Sequence, residues 1–276
     1  MLDPPSLFLF PGMGGLDPGL AELGPACGIP TVMIHYPHWS VLSRDHGYDF
    51  ATLVRQAEEQ IRATVPGGAI LLAGYSFGGI VAAGVAARLR DAGIDVRLLG
   101  LLDTEIRPDI DNKSGSTLRR LTRAQEFAGF LRALREGDGI GRLAYFVSRR
   151  IKDPSWKPVL DFYGATARRW LPRKFTTLLD RDLLFWHFVP LLREWDAMCG
   201  SLAPVPAPTV LFRTAQHDPA APEHLGWEPL CPALTVVPVP GTHHDLLARS
   251  LPSTRVAFAR VVARILENSP TLHPVD

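Results

Sequence analysis

The sequence has few cysteines and no long apolar run, and each absence argues against a class of protein. Its three cysteines, Cys27, Cys199 and Cys231, are far apart and odd in number, which argues against a disulfide framework or a zinc site. No stretch approaches the roughly 18 apolar residues of a membrane span. The amino-terminal segment MLDPPSLFLFPG lacks the basic region of a signal peptide, and its apolar run is too short for one. We therefore expect a soluble cytoplasmic protein with no bound metal.

Charge of one sign is also scarce. The 276 residues carry 29 Lys and Arg against 28 Asp and Glu, a formal net charge of +1. Such a balance gives no overall attraction to nucleic acid or to an anionic membrane surface, so neither is expected as a partner. Hydrophobic residues make up 46% of the chain, which is enough to bury a substantial core.

The chain is organised around the stretch Ala69–Leu89, AILLAGYSFGGIVAAGVAARL. A short apolar run leads directly into Gly74-Tyr75-Ser76-Phe77-Gly78, and an Ala- and Val-rich run at helical spacing follows. A strand that turns at once into a helix places Ser76 at a sharp corner. Glycine is needed two positions before and two positions after the serine, because a Cβ there would collide with the neighbouring strand and helix. A serine in a glycine-rich phosphate-binding loop is the alternative, but this context favours the nucleophile elbow of α/β-hydrolases, G-x-S-x-G.

Short apolar runs alternate with helical patterns along the rest of the chain. The predicted strands are Leu7–Phe10, Thr31–Ile34, Ala69–Ala73, Val96–Leu102, Pro208–Phe212 and Leu234–Val239. Amphipathic helices are predicted after Asp49 and over Val256–Leu266. This alternation predicts an α/β fold, a mostly parallel central sheet with helices on both faces. Active sites of such sheets lie at the carboxyl ends of the strands.

The interval from about residue 104 to residue 203 breaks the alternation. It holds several helical patterns, one of which begins with a capping box at Thr122 and Gln125. Others cover about residues 141–151, 159–170 and 178–198. We interpret it as a helical lid inserted into one domain that spans residues 1–276. Between Thr104 and Gly200 there are 18 Lys and Arg against 12 Asp and Glu. This excess is either a solvated surface or a docking surface for an acidic partner.

A nucleophilic serine needs an imidazole to take its proton and a carboxylate to orient that imidazole. In α/β-hydrolases the chain order is serine, acid, histidine. Histidines that come after both the serine and an acid include His217, His224, His243, His244 and His273. Among them, His243 and His244 follow the last predicted strand and precede a helix, on the expected edge of the sheet, and they compete for the role of base.

The acid has two candidates, Asp103 and Asp218. Asp103 is favoured because the apolar run Leu98–Leu102 delivers it directly from a buried strand, whereas Asp218 lies a few residues beyond the next strand. The oxyanion of an acyl-transfer reaction needs two backbone N–H donors. We expect these from Phe77, which follows the nucleophile, and from the loop after the first strand near Met13.

These motifs together resemble the thioesterase domains of nonribosomal peptide and polyketide synthases. The residues that carry the resemblance are Phe10-Pro11-Gly12-Met13-Gly14-Gly15, Gly74-Tyr75-Ser76-Phe77-Gly78-Gly79, Leu101-Leu102-Asp103 and Gly241-Thr242-His243-His244-Asp245-Leu246-Leu247. The resemblance implies catalytic roles for Ser76, Asp103 and His243, with Asp218 as the alternative acid. The G-Y-S-F-G-G form looks more like the chain-terminating type than like the stand-alone editing type.

The resemblance also implies a substrate and a partner. The substrate would be an acyl chain held as a thioester on the phosphopantetheine arm of a carrier protein, which is commonly acidic. Ser76 would accept the acyl group, and hydrolysis or macrocyclisation would release it, with no cofactor bound to the enzyme. The alternatives are an editing thioesterase or general carboxylesterase that uses the same triad, and a non-catalytic binding protein with a hydrolase fold.

Overall fold

In a computed structural model, the chain adopts an α/β fold. The structure describes residues 5–43, 47–65, 69–106, 139, 147, 157–205, 207–215, 217 and 221–267. Two expectations from the sequence, the capping box at Thr122 and the helical pattern at about residues 141–151, lie outside these residues. The alternative acid Asp218 lies outside them as well.

The core of the fold is a parallel sheet flanked by helices. Its strands are β1 (Ser6–Phe10), β2 (Thr31–Met33), β3 (Ile70–Tyr75), β4 (Val96–Leu102), β5 (Thr209–Thr214) and β6 (Thr235–Val239). Their order in the sheet is β2-β1-β3-β4-β5-β6, and every neighbouring pair is parallel. The predicted α/β class and the parallel sheet are therefore confirmed, with strand bounds that differ from the expected ones by at most two residues.

The helices of the described residues follow the strands as expected for this class. They are α1 (Pro18–Ala21), α2 (Leu23–Cys27), α3 (Trp39–Leu42), α4 (Phe50–Thr64), α5 (Phe77–Asp91), α6 (Lys157–Ala165), α7 (Arg173–Met198) and α8 (Leu251–Glu267). Asp49 caps α4, because its carboxylate accepts the N–H of Thr52 at 2.7 Å. In the part of the chain that the structure describes, no helix is long and apolar enough to cross a bilayer.

Alternate residues of each central strand face opposite sides of the sheet, and both sides are covered. Phe8 and Leu72 belong to the apolar cluster that α4, α5 and α7 complete. Leu9 and Ala73 belong to the second cluster, on the side of α2 and α8. Strands β1 and β3 are buried along nearly their whole length, as expected for a parallel sheet between two helical layers. This rigid centre fixes the carboxyl ends of β3, β4 and β5.

The interval 104–203 is mainly helical where the structure describes it. It contributes α6, a 3₁₀ turn at Ala167–Arg169, and α7, which continues for 26 residues with Pro190 inside it. Helix α7 packs on α3 and α4. The proposal that this interval acts as a lid stays a prediction, since most of residues 107–156 lie outside the described part.

Candidate active site

Ser76 occupies the corner between β3 and α5 with a strained backbone. Its φ and ψ are 53° and −123°, a region that residues other than glycine rarely adopt. Its own N–H bonds to the carbonyl of Leu102 at 3.0 Å, and its carbonyl accepts the hydroxyl of Thr104 at 3.0 Å. These bonds hold the strained corner against the end of β4, and they leave the Ser76 side chain at the carboxyl edge of the sheet.

Two glycines make this corner sterically feasible. A Cβ on Gly74 would collide with the backbone of Gly78, and a Cβ on Gly78 would collide with the carbonyl of Phe10. The spacing of G-x-S-x-G therefore follows from close contacts between backbones, as the sequence predicts. The structure places the motif between a strand and a helix, which is the context that distinguishes the elbow from other serine loops.

Asp103 follows β4 and also has a positive φ, of 50°. Its N–H bonds to the carbonyl of Phe212 at 2.9 Å, which extends the hydrogen bonding between β4 and β5. Its side chain is fully buried. Three non-glycine residues in the described ranges have a positive φ, Ser76, Asp103 and Leu225, and two of them are the predicted nucleophile and acid. Such strain often occurs at active sites.

His243 lies against Asp103, 140 residues earlier in the chain. The distance from its Nδ1 to Oδ2 of Asp103 is 2.8 Å. An ionised carboxylate can only accept, so Nδ1 carries the proton and Nε2 is the nitrogen left to take one up. The imidazole also stacks on the ring of Tyr75, whose hydroxyl donates to the carbonyl of His243 at 2.9 Å. His244, the competing histidine, is exposed.

The other oxygen of Asp103 has donors of its own. Oδ1 accepts the N–H of Thr214 at 2.8 Å and its hydroxyl at 2.9 Å. It also lies 2.8 Å from Nε2 of His217. Sequence order makes His217 a candidate base, but nothing in the sequence indicates that it shares the carboxylate with His243. Residues 217 and 243 lie in loops after different strands, and the fold alone brings them to one acid.

These donors determine the ionisation of Asp103. Burial by itself would raise the pKa of Asp103, but the hydrogen bonds from His243, Thr214 and His217 outweigh it and lower that pKa to about 2. The carboxylate is therefore ionised at any pH at which a neutral imidazole exists. A negative charge in this position stabilises the cation that forms when His243 takes up a proton.

The loop after β1 forms the opposite side of the site. The N–H of Gly12 donates to Oδ2 of Asp17 at 2.6 Å, and the carbonyl of Pro11 accepts the hydroxyl of Tyr36 at 2.8 Å. Within the described ranges the N–H groups of Met13 and Phe77 bond to no protein acceptor. Those two amides are the expected oxyanion donors, whereas the N–H of the neighbouring Gly12 is bonded to Asp17.

Asp17 is a part of this site that the sequence does not reveal. Burial raises its pKa, and the Gly12 hydrogen bond together with the nearby His243 and Arg181 partly offsets that rise. Arg181 belongs to α7 and covers the loop, since a Cβ on Gly14 would lie 2.9 Å from its Cγ. Helix α7 therefore closes over the loop that carries Met13.

A second carboxylate, which is mostly but not fully buried, anchors α7 to the segment after β2. Oδ1 of Asp180 accepts Nε1–H of Trp39 and the hydroxyl of Tyr163, each at 2.9 Å, and Oδ2 accepts Nε–H of Arg168 at 2.7 Å. Nε2 of His38 lies 3.7 Å from Oδ2. This cluster joins α6, the 3₁₀ turn and α7 to α3, and it fixes the position of α7 above the strand ends.

Comparison with known proteins agrees with this fold. Residues 5–139 match the family profile described as thioesterase domain. Over 110 residues the chain is 39% identical to enterobactin synthase component F of Escherichia coli O157:H7, a match that covers 35% of this chain and 8% of that protein. Over 84 residues it is 40% identical to vanchrobactin synthetase VabF of Vibrio anguillarum, covering 28% and 3%. The matches thus span only a small part of these two relatives.

Solved structures share the fold over nearly the whole chain. The NocB thioesterase domain, in a covalent complex with a fluorophosphonate nocardicin G analogue, is 20% identical with a TM-score of 0.61, and the match covers 93% of this chain and 94% of that one. The Vlm2 thioesterase domain, with a bound dodecadepsipeptide, is 24% identical with a TM-score of 0.60, covering 94% and 97%. The four-domain nonribosomal peptide synthetase AB3403 is 20% identical with a TM-score of 0.64, covering 96% and 20%.

The resemblance expected from the motifs is thereby confirmed. Residues 5–139 match the thioesterase-domain profile, and the NocB and Vlm2 thioesterase domains share the fold of nearly the whole chain. The individual roles of Ser76, Asp103, His243, Phe77 and Met13 stay predictions.

Proposed function

We propose that this chain releases an acyl or peptidyl chain from the phosphopantetheine thioester of a carrier protein, through an acyl-enzyme on Ser76. The observation that carries the proposal is the placement of His243 on Asp103 at the edge where the strained elbow presents Ser76. A hydroxyl, an imidazole and a carboxylate at one sheet edge are the groups that nucleophilic acyl transfer requires.

The first half of the reaction forms the acyl-enzyme. Oγ of Ser76 attacks the thioester carbonyl carbon while Nε2 of His243 takes its proton, and Asp103 stabilises the resulting imidazolium. The N–H groups of Met13 and Phe77 bind the oxyanion of the tetrahedral intermediate. When that intermediate collapses, the carbon–sulfur bond breaks, and the pantetheine sulfur receives the proton from His243 and leaves as a thiol.

The second half frees the product and restores the serine. Water, or an amine or hydroxyl of the acyl chain itself, gives a proton to His243 and attacks the Ser76 ester. Attack by water yields an acid, and attack from within the chain yields a macrolactam or a macrolactone. The proton then returns to Oγ of Ser76, so the enzyme consumes no cofactor in either case.

The proposed partner is a carrier protein, because the relatives are synthetases of which this chain matches one part. We propose that an acidic carrier docks on the basic interval 104–203. The excess positive charge of this interval lies mainly in residues 107–156, which include Arg149 and Arg150.

Reversing the charge of both Arg149 and Arg150, which lie outside the described part of the chain, should weaken turnover of a carrier-bound thioester more than turnover of a small soluble thioester. Equal effects would reject the docking proposal.

Product analysis separates this function from its alternatives. The protein is incubated with an acyl chain on a carrier protein and with the same acyl group as a simple ester, and the products are identified by mass spectrometry. Release from the carrier at a much higher kcat/KM supports the proposal. Equal rates on both substrates indicate a general carboxylesterase, whereas removal of short mis-loaded acyl groups alone indicates an editing thioesterase. No turnover of either substrate, together with no reaction of Ser76 with a fluorophosphonate, indicates a binding protein.

A further inference from the structure

We propose that His217 is a second histidine of the site, a positioning residue that holds Asp103 for His243 and sets the pH above which the nucleophile is active. The inference rests on the proposed acyl transfer at Ser76, and it assigns a role to a side chain outside the predicted triad. Among the described residues, His217 makes no hydrogen bond to Ser76.

The contact between His217 and Asp103 is close and largely shielded from solvent. Nε2 of His217 lies 2.8 Å from Oδ1, the same length as the bond from His243 to Oδ2, and the side chain of His217 is 17% exposed. Because the carboxylate only accepts, His217 holds its proton on Nε2. One acid thus binds two imidazoles through opposite ring nitrogens, Nδ1 of His243 and Nε2 of His217.

The division of the two carboxylate oxygens explains what His217 does. Oδ1 is held by Thr214 and His217, which fixes the plane of the carboxylate and directs Oδ2 toward His243. Each donor on Oδ1 also withdraws negative charge from the carboxylate. The charge left on Oδ2 determines how strongly Asp103 stabilises the imidazolium form of His243. His217 therefore weakens that stabilisation and lets His243 give up its proton at lower pH.

Removing His217 changes this balance in a predictable direction. Without its donor the carboxylate stabilises the imidazolium of His243 more strongly, so the acidic limb of the pH profile moves to higher pH. At pH values where His217 would itself be protonated, loss of its positive charge acts in the same direction. Among the described residues, the other charged or titratable groups around His243 and Asp103 are Asp17 from the loop after β1, Arg181 from α7, Tyr75 from β3 and the adjacent His244. A His217 variant leaves all four in place.

The test uses His217→Phe and His217→Gln in the full chain. Phenylalanine fills a similar volume without a donor, whereas the amide nitrogen of glutamine reaches about as far as Nε2 of histidine and restores one. His224→Phe is the matched control, since His224 is also a partly exposed loop histidine but faces Glu228 at 4.0 Å. The readout is the rate at which a fluorophosphonate labels Ser76 across a pH series, which needs no carrier protein.

For His217→Phe we expect the midpoint of the acidic limb to rise by about half to one pH unit, and the labelling rate at neutral pH to fall about tenfold. His217→Gln should recover most of both changes, and His224→Phe should behave as the wild type. A second readout is the low-field proton resonance of the bond between His243 and Asp103. It should shift in His217→Phe, provided that circular dichroism shows an intact fold.

Two outcomes would overturn the inference. An unchanged midpoint in folded His217→Phe would show that His217 only fills space beside Asp103. A midpoint that moves equally in the Phe and Gln variants would show that the donor is irrelevant. Failure of the proposed function looks different, because the wild type itself would then carry no label at Ser76.

Discussion

The phenol ring of Tyr75 stacks on the imidazole of His243, with the ring centroids 4.9 Å apart and the planes inclined by 21°. The hydroxyl of the same tyrosine donates to the carbonyl of His243 at 2.9 Å. Residue 75 immediately precedes the proposed nucleophile, so the strand that carries Ser76 also holds the proposed base. The two residues are 168 positions apart in sequence, and this contact links the elbow to the loop after β6.

We expect the two contacts of Tyr75 to be separable. Tyr75→Phe keeps the stacked ring and loses the hydrogen bond, and it should lower kcat a few fold, since an ordinary hydrogen bond contributes about 1 kcal/mol. Tyr75→Leu loses both contacts and should lower kcat by at least a further order of magnitude, with KM changed much less. Equal kcat values for the two variants would assign the whole effect to the hydroxyl. Wild-type values for both would show that His243 needs no support from β3.

The assignment of the acid is tested by paired substitutions. Asp103→Asn removes the charge that is expected to fix the tautomer of His243 and stabilise its cation, and we expect a loss in kcat of about 10⁴-fold, as for the same change in a Ser-His-Asp triad. Asp218→Asn is the matched change at the alternative acid, outside the described residues, and should cost far less. Steady-state kinetics on a small thioester measures both. The reverse order would transfer the role of acid to Asp218.

The sequence predicts the elbow and the sheet well because both depend on local patterns. The run Ala69–Leu89 contains the strand, the corner and the helix within 21 residues, so its order of apolar, glycine and serine positions is enough. Asp103 is predictable for a similar reason, since it ends a buried strand. Between His243 and His244 no local pattern decides. The resemblance to a family indicates His243, and in the structure that residue contacts Asp103 while its neighbour is exposed.

The sequence could not reveal contacts between residues that are far apart in the chain. The bonds from His217 to Asp103 and from Tyr75 to His243 depend on the order of the strands in the sheet. Strands β5 and β6 lie beside β4 in the sheet, although the interval 104–203 separates them from β4 in sequence. The role of Asp17 is hidden as well. An aspartate before a short helix predicts a cap, but its carboxylate instead accepts the N–H of Gly12 and shapes the loop that carries Met13.

The Asp180 cluster gives a prediction about stability and its pH dependence. Burial would raise the pKa of Asp180, but the nearby His38 and the hydrogen bonds from Trp39, Arg168 and Tyr163 outweigh it and lower that pKa to about 2. A carboxyl with a lowered pKa stabilises the fold above its unfolded value of about 4, and this contribution is lost as the pH falls toward about 2. Asp180→Asn should therefore lower the free energy of unfolding at pH 7 by about 1–2 kcal/mol.

Denaturant unfolding at several pH values measures this effect. The difference between wild type and Asp180→Asn should shrink between about pH 4 and about pH 2. The control is Asp182→Asn on the same helix, whose carboxylate pairs with the half-exposed Arg181 and should contribute less than about 1 kcal/mol. A difference that stays constant down to pH 2 would contradict the assignment of the effect to the ionised carboxylate.

The close packing around Gly78 in the elbow predicts that an alanine there destabilises the fold much more than an alanine at Gly200. A Cβ at Gly78 would collide with backbone atoms of Phe10 and Pro11, which belong to β1 and the loop after it and cannot move independently. Gly78→Ala should therefore destabilise the fold by about 1–3 kcal/mol or more and displace the loop that carries Met13. Gly200→Ala is the control, because no atom lies within 4 Å of a Cβ there. Equal melting temperatures for the two variants would contradict the packing described for the elbow.

The most direct test of the account is intact-mass spectrometry of the protein after reaction with an acyl thioester or a fluorophosphonate. The account predicts one adduct per wild-type chain, located on Ser76 by peptide mapping, and none on Ser76→Ala. In folded His243→Ala the same adduct should form at least about 10³-fold more slowly, since the hydroxyl then lacks its base. An adduct on a different residue, or undiminished labelling of Ser76→Ala, would contradict the claim that the elbow serine is the nucleophile.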